Sequence, residues 1–220
     1  MYNWQFGFLW DYRIVFVNGA VITVELAALS WTIGVVLGLI IALARLSPFV
    51  WLRAPAVLFV ETFRSTPALI QLVWIYYALP IITGLQMSAF TSVAIGLGLH
   101  TAAYFGEIFR GGIISIERGQ VDAAKSVGMV YWQAMVRIIL PQAIRRMLPP
   151  FMNETANLVK LTSLGSVLAV YELLHASNNL ITNTYRPLEV YSTAAVTFAV
   201  IIYPMIHGAR MIERYWGVRS

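Results

Sequence analysis

Five long apolar segments separated by short polar stretches set the organisation of this chain. The first runs from about Gly19 to Ala44, which as a helix crosses a hydrocarbon core of ~30 Å. The second, about Ala56 to Leu79, is interrupted by Ser65-Thr66-Pro67 and is not expected to be one straight rod. The third covers about Phe90 to Ile108. The fourth lies between Pro150 and Leu174, where Glu154, Lys160, Thr162 and Ser163 dilute the apolar signal. The fifth runs from about Tyr191 to Ile206, ahead of Arg210, Arg214 and Arg219. Such a pattern predicts an all-α integral membrane protein of about five transmembrane helices, a single domain over residues 1–220, because helices satisfy their backbone polar groups inside lipid. Trp74, Tyr76 and Tyr77 near the end of the second segment fit an interfacial aromatic belt.

Composition agrees, with 59% of the 220 residues hydrophobic and only 11% charged, which excludes an ordinary soluble domain. Cysteine is absent, removing disulfides, thiolate nucleophiles and cysteine metal sites. The net charge of +5 is spread between the apolar segments and forms no continuous stripe, so nucleic acid is not an expected partner. Five crossings put the termini on opposite sides. Arg45, Arg53, Arg110, Arg118, Arg137, Arg145, Arg146 and the basic tail fall on one side, Arg13 and Arg186 on the other, which predicts an outside amino terminus and a cytoplasmic carboxyl terminus. The acidic and aromatic start lacks a signal peptide's basic region, so the first segment is expected to remain in the mature protein.

Some chemistry is missing. The only lysines are Lys125, after Ala124, and Lys160, after Val159, so no Gly-Lys-Ser/Thr phosphate loop exists here. His100, His175 and His207 are widely spaced and suit packing better than a metal site. No catalytic group or cofactor is expected in this chain.

The stretch from Gly119 to Gln142 is polar and loop-like. Ala123 and Ala124 permit close backbone approach on a short helix. Gly128 stands where the chain needs a left-handed residue, and a second helical pattern runs from Tyr131 to Leu140 before Pro141. With Asp122-Ala123-Ala124, Gly128 and Leu140-Pro141, the stretch resembles the signature cytoplasmic loop of permease subunits from bacterial ATP-binding-cassette (ABC) importers. That resemblance makes residues of about 113–149 the coupling loop, with Gln120, Asp122, Ala123, Ala124, Lys125, Gly128, Leu140 and Pro141 contacting an ATPase. Val130 departs from the family, which often has Thr or Ser near this point, and offers no capping oxygen.

Phe63-Arg64-Ser65-Thr66-Pro67 with Gln71 is similar to the Phe-Arg-Gly-Thr-Pro segment of polar amino-acid permeases, the histidine, glutamate and glutamine group. Ala102-Ala103-Tyr104, Glu107, Arg110-Gly111-Gly112-Ile113, Ser115-Ile116, Leu148-Pro149-Pro150 and Thr162-Ser163-Leu164 continue the likeness. It implies an ABC type I importer fold in the bacterial inner membrane. It also implies a second permease subunit, identical or homologous, two ATPase subunits holding ATP and Mg, and a periplasmic or lipid-tethered protein that delivers an amino acid. Ser65 replaces the common Gly, and Leu161 stands where the family usually has Asp, leaving Lys160 without its acidic neighbour.

Candidate path residues follow from cost, since ionisable groups in spans face protein or water. Thr66-Pro67 has the form of a helix start whose free N–H groups attract a carboxylate, with Gln71 one turn beyond. Glu61 and Arg64 are spaced to pair with each other, as are Glu107 and Arg110. Glu154 has no basic residue one turn away and is the first choice for a substrate's ammonium or cationic group, with Asn157 on its face. Tyr104, Glu107 and Ser163 complete the substrate-binding set. Glu25, near the outer end of the first span, suits either the path or solvent. Alternatives from other classes are a gradient-driven secondary transporter and a scaffold without transport; within the importer class, the cargo alternative is an opine or related nitrogen compound.

Overall fold

The computed structural model describes residues 2–216 and is helical throughout, with no strand among those residues. Arg219, part of the basic tail, lies outside the described residues. Helix α1 (Arg13–Leu46) starts earlier than the first apolar segment, because Ile14, Val15, Phe16 and Val17 continue its run. A short Ser47–Phe49 link leads to α2 (Val50–Ser65), and α3 (Ala68–Thr83) follows at a bend of 110°. The bend sits at Thr66, whose φ of −110° and ψ of 144° are the extended values that the ring of Pro67 forces on its predecessor. The second segment is thus broken where Ser65-Thr66-Pro67 interrupts it.

Helix α4 (Ala89–Ile114) is the centre of the fold. Ser88 caps its start by accepting the Thr91 N–H at 3.1 Å. Val93, Ala94, Leu97, Ala102, Ala103 and Phe105 are fully buried. Leu26, Leu72, Leu158, Leu168 and Val170 close on Val93, Ala94 and Leu97 from the flanking helices. Protein rather than lipid surrounds α4, which is why it can bury Ser92, His100 and Thr101. Helix α1 crosses α4 through Gly34 and Gly38, the close approach that small residues at four-residue spacing allow in membranes.

After α5 (Arg118–Ser126), a single long helix, α6 (Tyr131–Leu168), replaces the expected fourth segment and starts well before Pro150. Pro141, Pro149 and Pro150 do not end it. Pro141 is accommodated by a wide i→i+5 turn at Met135–Ile139, in which the Leu140 N–H donates to the Met135 carbonyl. The same device at Trp74–Ala78 precedes Leu79-Pro80 in α3. Proline lacks an N–H and crowds the carbonyl four residues back, and a π turn relaxes both demands. The helix breaks at Ala169, whose φ is 57°, bends by 49° and resumes as α7 (Leu173–Thr184). Helix α8 (Pro187–Trp216) closes the chain.

Among the described residues, α1 and the 187–208 part of α8 are each long and apolar enough to cross a membrane, and the bent pairs α2–α3 and α6–α7 qualify as pairs. Helix α4, about 39 Å long by its 26 residues, has the length of a crossing but is not among the helices that qualify by length and composition. Near the start of α8 Glu189, fully buried, accepts hydrogen bonds from Tyr2, the Gln5 N–H and Arg186, pinning the amino-terminal strap to α8.

Candidate solute path and docking handle

The bend between α2 and α3 is held by Gln71. Its amide nitrogen donates to the Phe63 carbonyl at 2.9 Å, the Thr66 carbonyl at 3.0 Å and the Thr66 hydroxyl at 2.7 Å. Its oxygen meets Nδ1 of buried His100 on α4 at 3.0 Å. Gln71 therefore caps the carbonyl end of α2 and ties it to the core. Thr66 does not cap α3: its hydroxyl donates back to Thr62 at 2.8 Å, Pro67 takes the N-cap position, and the first helical residue is Ala68. The helix start is one residue later than Thr66-Pro67 suggests. His100 has the packing role expected of it.

Tyr104 and Glu107, one turn apart on α4, line an open cleft of about 340 Å³ with Arg64, Ser115, Arg146 and Pro150. Glu107 pairs with Arg110 as its spacing predicts, and also with Arg45 from the end of α1, a partner far away in sequence. The expected Glu61–Arg64 pair is absent among the described residues. Glu61 is exposed, and the Arg64 guanidinium lies over the Tyr104 ring, 5.4 Å from its centroid. A ring across the helix interface outcompetes a solvated carboxylate on the same helix.

Glu154 stands one turn beyond Pro150 on α6, half-buried, with Asn157 donating to it at 3.3 Å. No cation lies within ion-pair distance of it among the described residues; Arg64 acts on it from farther off. Ser163 is separate: it opens the 3-10 end of α6, its hydroxyl donating to Lys160 O at 2.7 Å. Thr66 and Gln71 face a second, apolar cleft of about 480 Å³ with Phe63, Trp74 and Leu99. Tyr104 and Glu107 thus line one cleft and Thr66 and Gln71 the other, while Glu154, Asn157 and Ser163 line neither. Leu161 packs against the central core, and Lys160 beside it is exposed. Glu25 is exposed on a groove between α1 and α8 and takes no part in either cleft.

Two buried acids were not singled out from the sequence. Glu172, fully buried, caps α7 by accepting the Leu174 and His175 N–H groups, each at 2.8 Å. Glu189 has the latch role described above. A Glu just ahead of the apolar Leu173-Leu174 pair is the only sequence sign of the first.

The docking handle takes the expected form up to its second helix. Helix α5 ends in a Schellman turn: Gly128, at φ 79°, donates to Lys125 O at 2.9 Å, and Met129 N–H reaches Ala124 O at 3.1 Å. Val130, the N-cap of α6, supplies no side-chain oxygen, and the Gln133 amide accepts the Val130 N–H at 3.2 Å in its place. The second helix does not stop at Pro141 but continues through the membrane. Gln120, Asp122, Ala123, Lys125 and Gly128 are exposed, as is Pro141, while Leu140 is half-buried. Ala124 differs from Ala123: it is 1% exposed, covered by this chain itself. Its small size lets α5 rest on the first turns of α6, where Val121, Met135 and Ile139 form a small core. Gln142 to Gln120 at 3.5 Å and Arg146 to the Ser115 carbonyl tie the handle to α6.

Comparison with known proteins agrees with this arrangement. The octopine transport system permease protein of Rhizobium meliloti is 40% identical over 199 residues, covering 87% of this chain and 81% of that one. The glutamine transport system permease protein of Escherichia coli K12 is 33% identical over 207 residues, 94% of each. A crystal structure described as an amino acid ABC transporter with histidines superposes with a TM-score of 0.91 at 33% identity, covering 97% of this chain and 100% of that one. Residues 34–215 match the family of binding-protein-dependent transport system inner membrane components, and the chain belongs to that family as the permease subunit of an ABC importer, a multi-pass transport component whose nucleotide is bound by an ATPase partner.

Proposed function

We propose that this permease takes a polar amino acid from a periplasmic or lipid-tethered binding protein and passes it along a path built by α2–α3, α4 and α6. Glu154 carries the reading: it is a half-buried carboxylate at membrane depth with no cation within ion-pair distance among the described residues. With Asn157 beside it, Glu154 holds the ammonium or a cationic side chain. Tyr104 and Glu107 line the cleft one turn further toward the cytoplasm. Thr66, Gln71 and Ser163 act on the path through the bends they hold rather than by direct contact.

The working unit is a pair of permease subunits over two ATPases, with this chain's amino terminus outside and its carboxyl terminus in the cytoplasm. The ATPases engage residues of about 113–149, chiefly Gln120, Asp122, Ala123, Lys125 and Gly128. Closure of the ATPases moves α5, and α6 carries the motion inward. Gln133 at the handle and Glu154 on the path belong to one helix, about 32 Å apart along its axis. Leu140 and Pro141 lie within that lever, beside its π turn.

An opine cargo is the second reading. The identity to an octopine permease favours it, and so does Leu161, which leaves Lys160 without an adjacent acid and makes the site less suited to a purely cationic solute. ATP hydrolysis by the assembled importer in lipid bilayers, scanned over amino acids and opines, tests the function. Stimulation by one chemical class identifies the cargo, and silence to all of them refutes the proposal. Glu154→Gln is expected to weaken stimulation by the true cargo, and unchanged affinity and side-chain preference would remove Glu154 from the path.

A further inference from the structure

We infer that Arg64 is the carboxylate-binding residue of the path, seated on Tyr104 and facing the cleft below Glu154. The inference deepens the proposed function and rests on its placing an amino acid at Glu154.

Arg64 and Arg146 line this cleft, Arg45 and Arg110 bond to its Glu107, and of these four all but Arg64 have a hydrogen-bonding partner described above. Arg45 and Arg110 both discharge on Glu107, and Arg146 donates to the Ser115 carbonyl. Arg64 has no carboxylate within ion-pair distance among the described residues, and its guanidinium rests on the face of Tyr104, 5.4 Å from the centroid. Stacking fixes the plane of a guanidinium and leaves its edge of N–H donors free, the geometry that takes a carboxylate in two parallel hydrogen bonds. Because Glu107 is neutralised twice over, the cleft has a surplus of positive charge, which draws in an anionic group.

Position supports the same assignment. Arg64 is the last charged residue before the bend at Thr66, so the break in the α2–α3 pair places a cation beside the path. Arg64 shares its cleft with Glu107 of α4 and with Pro150, one turn before Glu154 on α6. Arg64 lines the cleft and Glu154 stands one turn beyond its Pro150, so a zwitterion at this end of the cleft meets a base at Arg64 and an acid at Glu154, and its two head groups select that orientation. The cleft, at about 340 Å³, accommodates a solute of amino-acid size. A structural ion pair with Glu61 is the rival role, and the structure leaves Glu61 exposed with no cation within ion-pair distance among the described residues.

The test is direct binding to the purified permease–ATPase complex without its binding protein, so that the delivery protein's own preference plays no part. The probes are L-arginine and L-glutamine, each compared with its α-amide, which keeps the ammonium and side chain but lacks the carboxylate. The wild-type complex is expected to prefer the acid of at least one pair by tenfold or more. Arg64→Met should reduce that preference to near one while leaving amide affinity unchanged, which also shows that the variant is folded. Arg64→Lys should keep part of the preference. An Arg64→Met complex that still prefers the acid by the wild-type ratio overturns the inference, and so does a wild type that binds acid and amide equally or binds neither pair. Glu154→Gln separates the underlying reading: if it leaves acid and amide affinities at wild-type values while Arg64→Met removes the preference, the Glu154 assignment fails and the Arg64 subsite stands.

Discussion

Gly38→Ala tests the central packing with the smallest possible perturbation. A Cβ added at Gly38 would lie 2.8 Å from the Phe105 Cβ, 3.1 Å from the Gly106 nitrogen and 3.2 Å from the Ala102 carbonyl oxygen. All three neighbours are backbone or fixed to it, so no rotamer change on α4 relieves the contact, and the two helices must separate. Overpacking of this kind costs about 1–3 kcal/mol, against a gain of about 0.5–1 kcal/mol from replacing a helical glycine by alanine. The net expectation is a loss of about 1–2 kcal/mol, or about 2–8 °C in melting temperature for a chain of this size. Gly111→Ala is the control, because a Cβ there meets nothing within 4 Å; it keeps the helix-propensity gain without the clash. Thermal unfolding of the two purified variants in one detergent should therefore move in opposite directions. Equal or higher melting of Gly38→Ala would show that α1 and α4 are not packed at this distance.

Three further outcomes follow from particular contacts. Ala123→Leu and Ala124→Leu should separate docking from folding: the first fills an exposed site and should uncouple ATP hydrolysis from transport with melting unchanged, whereas the second overpacks the buried α5–α6 contact and should lower melting as well. Gln71→Leu withdraws the donors from Phe63 O and Thr66 O and the partner of His100 Nδ1, a cost of about 1–3 kcal/mol read as a lower melting temperature. Glu107→Gln should destabilise more than Arg45→Gln, since the first leaves two partly buried guanidiniums unpaired and the second leaves Glu107 still bonded to Arg110. Reversal of that order in thermal melts would contradict the pairing.

What could be read from the sequence was what short-range chemistry decides. Gly128 reads as a left-handed turn because its neighbours on both sides are helical, and its φ of 79° meets that demand. Glu107–Arg110 reads as a pair because both groups ride on one helix. Glu61–Arg64 has the same spacing and fails, because Tyr104, 40 positions on in the sequence, offers Arg64 a better neighbour. Arg45 reaching Glu107 across 62 residues was equally out of view. Proline misled in a more consequential way. Pro141, Pro149 and Pro150 argue locally for a helix end, and on that reading the handle and the path are separate bodies joined by a loop. The π turn at Met135–Ile139 accommodates Pro141, and Pro149 and Pro150 lie inside the helix without ending it, so the helix that begins under Ala124 is the helix that carries Glu154. Under the proposed function, coupling then needs no relay of side chains between handle and path. It needs only that α6 move as one piece, which makes the wide turn before Pro141 the place where that stiffness is set.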